Sequence, residues 1–162
     1  MRGGIEVADL YEWGGKSTST GSIVFDTYRP GWGGKPIHQL LKENNVTAVF
    51  HGHDHVYVNQ LHADGIRYQE LPQPGGKSTT QTNANSNATT GGYVNGVIKP
   101  SSGHIRVTVG PNGVTSEYVR AWVQSTSYGY ALTSNKEGTG KANKTIEDSW
   151  SCSYVPATGK CQ

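Results

Sequence analysis

The residues best equipped for chemistry lie in one short stretch. Of six histidines, four (His51, His53, His55 and His62) fall between positions 51 and 62. In extended backbone, side chains two apart share a side, so His53 and His55 are expected to converge while Asp54 between them points away. Neutral imidazole is the commonest metal ligand in proteins, and paired imidazoles leaving a strand can each reach a cation. Gly52 would let the backbone turn close to such ions. An isolated His-x-His pair reads more readily as solvated loop histidines. A third alternating histidine, His51, beside an apolar run tips the reading towards metal, because short His-rich tracts bind metals. Asp54 is a candidate to orient a ligating histidine from behind, and Glu70, beside Tyr68, to line the pocket rim. Of the two histidines outside this stretch, His38 is expected on a helix, partly exposed and not ligating, and His104 at the start of a strand in a hydrogen-bonded structural role.

The elements that must position these residues are legible in the hydrophobic pattern. Ile37, Leu40 and Leu41 fall at i, i+3 and i+4, which predicts a short amphipathic helix starting near Pro36 and ending at Asn44-Asn45. Val46-Thr47-Ala48-Val49-Phe50 follows as a continuous apolar run of strand length. Helix, tight turn and buried strand form the pattern of a layered α/β sheet, with the histidines at the strand's carboxyl end, where ligands of open α/β sheets bind. Val56-Tyr57-Val58 and Ile66 to Leu71 read as further strands. His104 to Val109 and Val114 to Val123, around Gly110-Pro111-Asn112-Gly113, read as a hairpin with Ile105, Val107 and Val109 on one apolar face. Elsewhere, Ile5 to Glu12 reads as a short helix, 10–34 as a turn-rich loop, 72–92 as a mobile low-complexity loop, and 124–162 as an irregular polar extension.

Composition limits the class of protein. The chain has 162 residues, with 14 Lys+Arg against 12 Asp+Glu for a net charge of +2, and only 16% charged residues. That length suits one domain, and the near-balanced charge carries no nucleic-acid stripe or polybasic membrane patch. No apolar run approaches the roughly 18 residues needed to span a bilayer. Glycine, with 22 residues, runs at about twice its average usage. The only cysteines, Cys152 and Cys161, could form a short tail disulfide in an oxidising compartment or remain thiols in the cytoplasm. Met1-Arg2-Gly3-Gly4 begins no secretory leader, so the expectation is either a cytoplasmic protein or a missing N-terminus. Gly15-Lys16-Ser17 and Gly76-Lys77-Ser78 imitate the end of a phosphate loop, but Leu10 and Leu71 stand where its first glycine belongs, so neither is a nucleotide site.

Phe50-His51-Gly52-His53-Asp54-His55 after an apolar strand resembles the last signature motif, Gly-His-x-His, of the calcineurin-like metallophosphoesterases. Phe25-Asp26-Thr27-Tyr28-Arg29-Pro30-Gly31-Trp32, the helix over 35–45, and Tyr68-Gln69-Glu70-Leu71-Pro72-Gln73-Pro74 are similar to a bacterial branch of that superfamily. The Ser102-Gly103-His104 hairpin with Tyr118-Val119-Arg120-Ala121 resembles the strands closing its second sheet. The resemblance covers roughly residues 1–123. It implies an α/β (α+β) fold, β-rich with few helices, forming the C-terminal part of a two-sheet sandwich. It also implies a phosphate mono- or diester substrate and a centre of two divalent ions (Fe, Mn or Zn), with His53 and His55 each ligating a metal. His51, Gly52, Asp54 and Glu70 would lie around them. Such a pair of ions activates a bridging hydroxide for attack on phosphorus. The family's upstream motifs, Asp-x-His, Gly-Asp-x-x-Asp and Gly-Asn-His-Asp/Glu, are absent, as is its separate histidine before the final motif. The chain therefore reads as a truncated, inactive fragment whose partner is the missing N-terminal half, and a signal in that half would make it extracytoplasmic. The alternative is a non-catalytic β-rich binding module using exposed Trp13, Trp32, Tyr57 and Trp122; a surface-adhesion fragment has only the Gly/Asn/Ser/Thr composition behind it.

Overall fold

The computed structural model describes residues 3–8, 17, 19–22, 35–74, 80–122 and 142–161. Its first helix, α1 (Ile37–Glu43), starts after Pro36, whose φ of −56° is already helical, and stops at Asn44, whose N–H reaches Leu40 O at 3.1 Å. The expected boundaries hold, but the buried residue on this helix is His38, not the Ile37/Leu40 stripe. Ile37, Leu40 and Leu41, with Asn44 and Val46, line a shallow apolar hollow instead. At the N-terminus the described part of the expected 5–12 helix is a single 3₁₀ turn, Gly4–Val7; residues 9–12 lie outside the described residues, as do 23–34.

Two four-stranded sheets follow. The first contains β1 (Ala48–His51), β2 (Tyr57–Leu61), β3 (Arg67–Glu70) and β4 (Val97–Lys99) in the order β1-β3-β2-β4, with β1 parallel to β3 and the other pairs antiparallel. The strand expected to be buried, β1, is therefore an edge strand; it is only half-buried, and Phe50 is exposed. The second sheet is antiparallel throughout: β5 (Gly103–Gly110), β6 (Gly113–Arg120), β7 (Thr145–Val155) and β8 (Lys160–Cys161), in sequence order. The β5–β6 hairpin forms as expected, with Gly110 opposite Gly113 across a Pro111-Asn112 turn. Gly113 has φ +143°, and a Cβ there would collide with Cys152 O on β7. The apolar face of β5 has no cover among the described residues, however. This edge strand leaves Val107 and Val109 exposed.

Two expectations for polar segments are corrected. Part of the presumed 72–92 loop is α2 (Gln81–Gly91). Thr80 caps it by accepting the Asn83 N–H at 3.2 Å, and Gly92, at φ +88°, closes it with its own N–H on Thr89 O and the Tyr93 N–H on Ala88 O. Ala84 and Ala88, one turn apart, bury against Val56, Val58 and Tyr93. The tail is not irregular where described: β7 pairs with β6 from Gly113↔Ser153 to Arg120↔Thr145, and Cys152 is disulfide-bonded to Cys161.

The sheets stack with helices on one side. Along β2 and β3, alternate side chains divide between two faces. Val58, Tyr68 and their neighbours join apolar clusters with α2, Tyr93, Ala8 and Leu41. On the opposite face, Tyr57, Asn59 and Gln69 meet the second sheet through a polar network. Asp148 accepts from Tyr57 Oη at 2.7 Å and Asn59 Nδ2 at 2.8 Å, while Gln69 Oε1 accepts from Ser116 Oγ and Trp150 Nε1, each at 3.0 Å. The Tyr57 and Tyr118 rings stack within it, their centroids 4.4 Å apart. The molecule is thus mixed α+β, strand-rich and two-sheeted, as expected in outline.

Candidate functional site

The histidine stretch leaves β1 as a loop, not as extended strand, and this changes where its side chains go. His53 has φ 144° and His55 φ 57°, both in the region that residues with a Cβ seldom occupy. The two-residue alternation expected for 53–55 therefore fails. Asp54, expected to point away, is turned inward with its side chain only 5% exposed, whereas that of His53 is 61% exposed; His55 is exposed as well. Gly52 is not needed for a close approach: a Cβ there would meet open space.

What holds the loop is a buried carboxylate. Glu70, expected on the pocket rim, is fully buried. It stands opposite His51 in the parallel β1–β3 register, and its Oε2 lies 2.5 Å from His51 Nδ1. Its other oxygen accepts the Asp54 N–H at 2.8 Å. Tyr93 Oη lies 3.1 Å from Asp54 Oδ2 and 3.3 Å from Glu70 Oε2, so one phenolic proton serves two carboxylates. Burial, and then the charges of Glu70 and Asp54, push the Tyr93 pKa up, which keeps that proton in place. The His51 side chain is 7% exposed and stacks on Tyr93, with ring centroids 6.3 Å apart; its Nε2 has no hydrogen-bond partner among the described residues. Gly91 makes this packing possible, because a Cβ there would lie 2.6 Å from Tyr93 Cε2 and 2.9 Å from Asp54 Oδ2. Ser101 Oγ ties down the other end of the loop by donating to His55 O at 2.8 Å.

No family model, curated protein or solved structure matches the chain. Its chemistry must be read from the donor atoms themselves. His53 Nδ1 lies 3.1 Å from Asp54 Oδ1; with the proton on Nδ1 donated to that carboxylate, Nε2 presents its lone pair outward, as in metal-ligating histidines. Two exposed imidazoles suit a borderline divalent ion such as zinc or ferrous iron. Asp54 and Glu70 are both engaged inside the loop, so a cation at His53 and His55 needs further ligands from elsewhere.

Four features depart from what the sequence predicts. Tyr93, the donor between the two carboxylates, sits after α2 and follows no spacing rule. His38 is buried, contrary to expectation, and with His62 and Asp64 forms the one group of three or more potential ligands whose donor atoms converge among the described residues, within 4.8 Å of one another. The His62-x-Asp64 turn was its only local signal. The aromatics proposed for a binding surface are not available as such: Tyr57 and Trp122 are buried, and Trp13 and Trp32 lie outside the described residues. His104 is exposed on β5 and its side chain makes no hydrogen bond among the described residues, contrary to the structural role expected of it.

Proposed function

We propose that the chain is the C-terminal part of a metal-dependent phosphoesterase domain that hydrolyses phosphate mono- or diesters, with His53 and His55 as metal ligands. The observation that carries this reading is a ligand-type loop. Two imidazoles stand exposed after β1 while Asp54, between them, is anchored to Glu70 and Tyr93 beneath. Bound divalent ions would supply a hydroxide nucleophile and neutralise charge on the phosphate oxygens. The residues of this chain do the positioning: Asp54 holds the His53 ring, and Glu70 fixes the Asp54 backbone and faces His51. Carboxylate ligands and a general acid belong to the missing upstream motifs, so the 162 residues alone are inactive. The hollow on α1 and the exposed valines of β5, open among the described residues, favour additional chain packing there.

The test compares two proteins on p-nitrophenyl phosphate and bis(p-nitrophenyl) phosphate with Mn²⁺ or Zn²⁺. The 162-residue chain should show no turnover above the metal blank. The product of the open frame extended upstream of Met1 should hydrolyse at least one ester, with a loss of about 100-fold or more in His53→Ala. An extended product that is inactive, or whose activity is unchanged in His53→Ala and His55→Ala, removes the reading.

A further inference from the structure

A second set of metal-type donors lies away from the His53 loop, where α1 packs against the β2–β3 turn. His38 Nε2 is 3.0 Å from Asp64 Oδ2, and His62 Nδ1 is 2.6 Å from Asp64 Oδ1. The two imidazole rings tilt against one another with centroids 4.1 Å apart. We propose that His38, His62 and Asp64 form a binding site for one zinc-class divalent cation, separate from His53 and His55 and independent of the phosphoesterase reading.

The donor set is chemically apt. Two imidazoles and one carboxylate are typical zinc donors, and three protein ligands leave one of the four tetrahedral positions for water. Two ligands of a tetrahedral zinc lie about 3.3 Å apart, close to the 3.0 Å between His38 Nε2 and Asp64 Oδ2. Small rotations of these partly buried groups, with His62 and Asp64 side chains 20% and 15% exposed, would open the rest. The outer partner that ligating histidines require is already present: Tyr68 Oη lies 2.6 Å from His38 Nδ1. With that nitrogen donating to the phenol, Nε2 is left as a lone pair facing the carboxylate, an arrangement that calls for a proton or a cation between them. Asp64 also lines a cleft of about 520 Å³ shared with Arg67, Trp150 and the Cys152–Cys161 pair, so its carboxylate borders open space. One competing cation is near. Lys42 Nζ lies 3.4 Å from Asp64 Oδ2, but its side chain is 59% exposed and free to swing into solvent.

The contrasting account is a hydrogen-bonded clip in which protons occupy the cation's place, and metal uptake separates the two. Tag-free chain carrying His53→Ala and His55→Ala, stripped with chelator, is titrated with Zn²⁺ by calorimetry and with Co²⁺ by visible absorption. One ion per chain is expected, with the intense visible bands of tetrahedral Co²⁺ and a rise in Tm on adding Zn²⁺. Adding His62→Ala or Asp64→Asn should abolish all three signals while circular dichroism remains that of the parent. Tyr68→Phe, which keeps every ligand, should weaken uptake by about 10- to 100-fold. Absence of uptake in the doubly substituted chain overturns the site, as does uptake that His62→Ala, Asp64→Asn and Tyr68→Phe all leave unchanged. Loss of uptake in the doubly substituted chain alone would leave the His53 loop standing and eliminate only this second site.

Discussion

Glycines that look alike in sequence have opposite roles around the Glu70 anchor. Gly91→Ala places a methyl group against Tyr93 and Asp54, and overpacking of this kind costs about 1–3 kcal/mol. Gly52→Ala meets nothing and should stay within about 0.5 kcal/mol of the parent; urea denaturation of the two variants checks both figures. Glu6 makes a second residue-level case. Burial tends to raise its pKa, but hydrogen bonds from Gln60 and from the Val94 and Asn95 N–H groups outweigh this and hold it below 4.5. Since the unfolded chain then binds the proton more readily, stability is fully present above about pH 4.5 and falls away as the pH drops through the lower folded-state value. Melting curves of the parent and Glu6→Gln should therefore differ most near neutral pH and converge in acid. At this scale the sequence identified His53, His55 and their neighbours as the interesting residues but misjudged which way they face. The alternation rule applies to strands, and the backbone leaves extended conformation at Gly52. Glu70 is where it is because the parallel register sets it opposite His51, a relation between residues nineteen apart that no local pattern encodes.

Helix α2 would be unstable by itself. Its eleven residues include Asn, Thr and Ser at most positions, types that favour caps and turns over helix interiors. It depends on its ends and on two alanines. Thr80→Ala removes the N-cap and should cost about 1 kcal/mol, with earlier amide exchange across 81–91 than elsewhere as the local signature. Composition pointed to a loop here because the apolar stripe consists only of Ala84 and Ala88, too small to register as amphipathic. The same physics hid β7. Its inward positions include Asp148 and Trp150, which meet polar partners across the sheets, so a buried face carried almost no hydrophobic signal. By contrast α1, β2, β3 and the β5–β6 hairpin, where period and turn chemistry agree, lay where the pattern put them.

At the scale of the whole molecule, the two sheets are joined less by oil than by hydrogen bonds. The contacts of Tyr57, Asn59 and Gln69 with Asp148, Ser116 and Trp150 need correct geometry to be favourable, so relative placement of the sheets is specified tightly even where apolar area is modest. The disulfide joins the ends of the short β7–β8 turn and secures only that corner. The open edge at β5 has a practical consequence. A strand eight residues long, unpaired along one side among the described residues and with Val107 and Val109 exposed, is a template for pairing with another molecule. Concentrated preparations should grow turbid with time, and Val109→Lys, which places a charge on that edge without entering either core, should raise the concentration at which light scattering first appears.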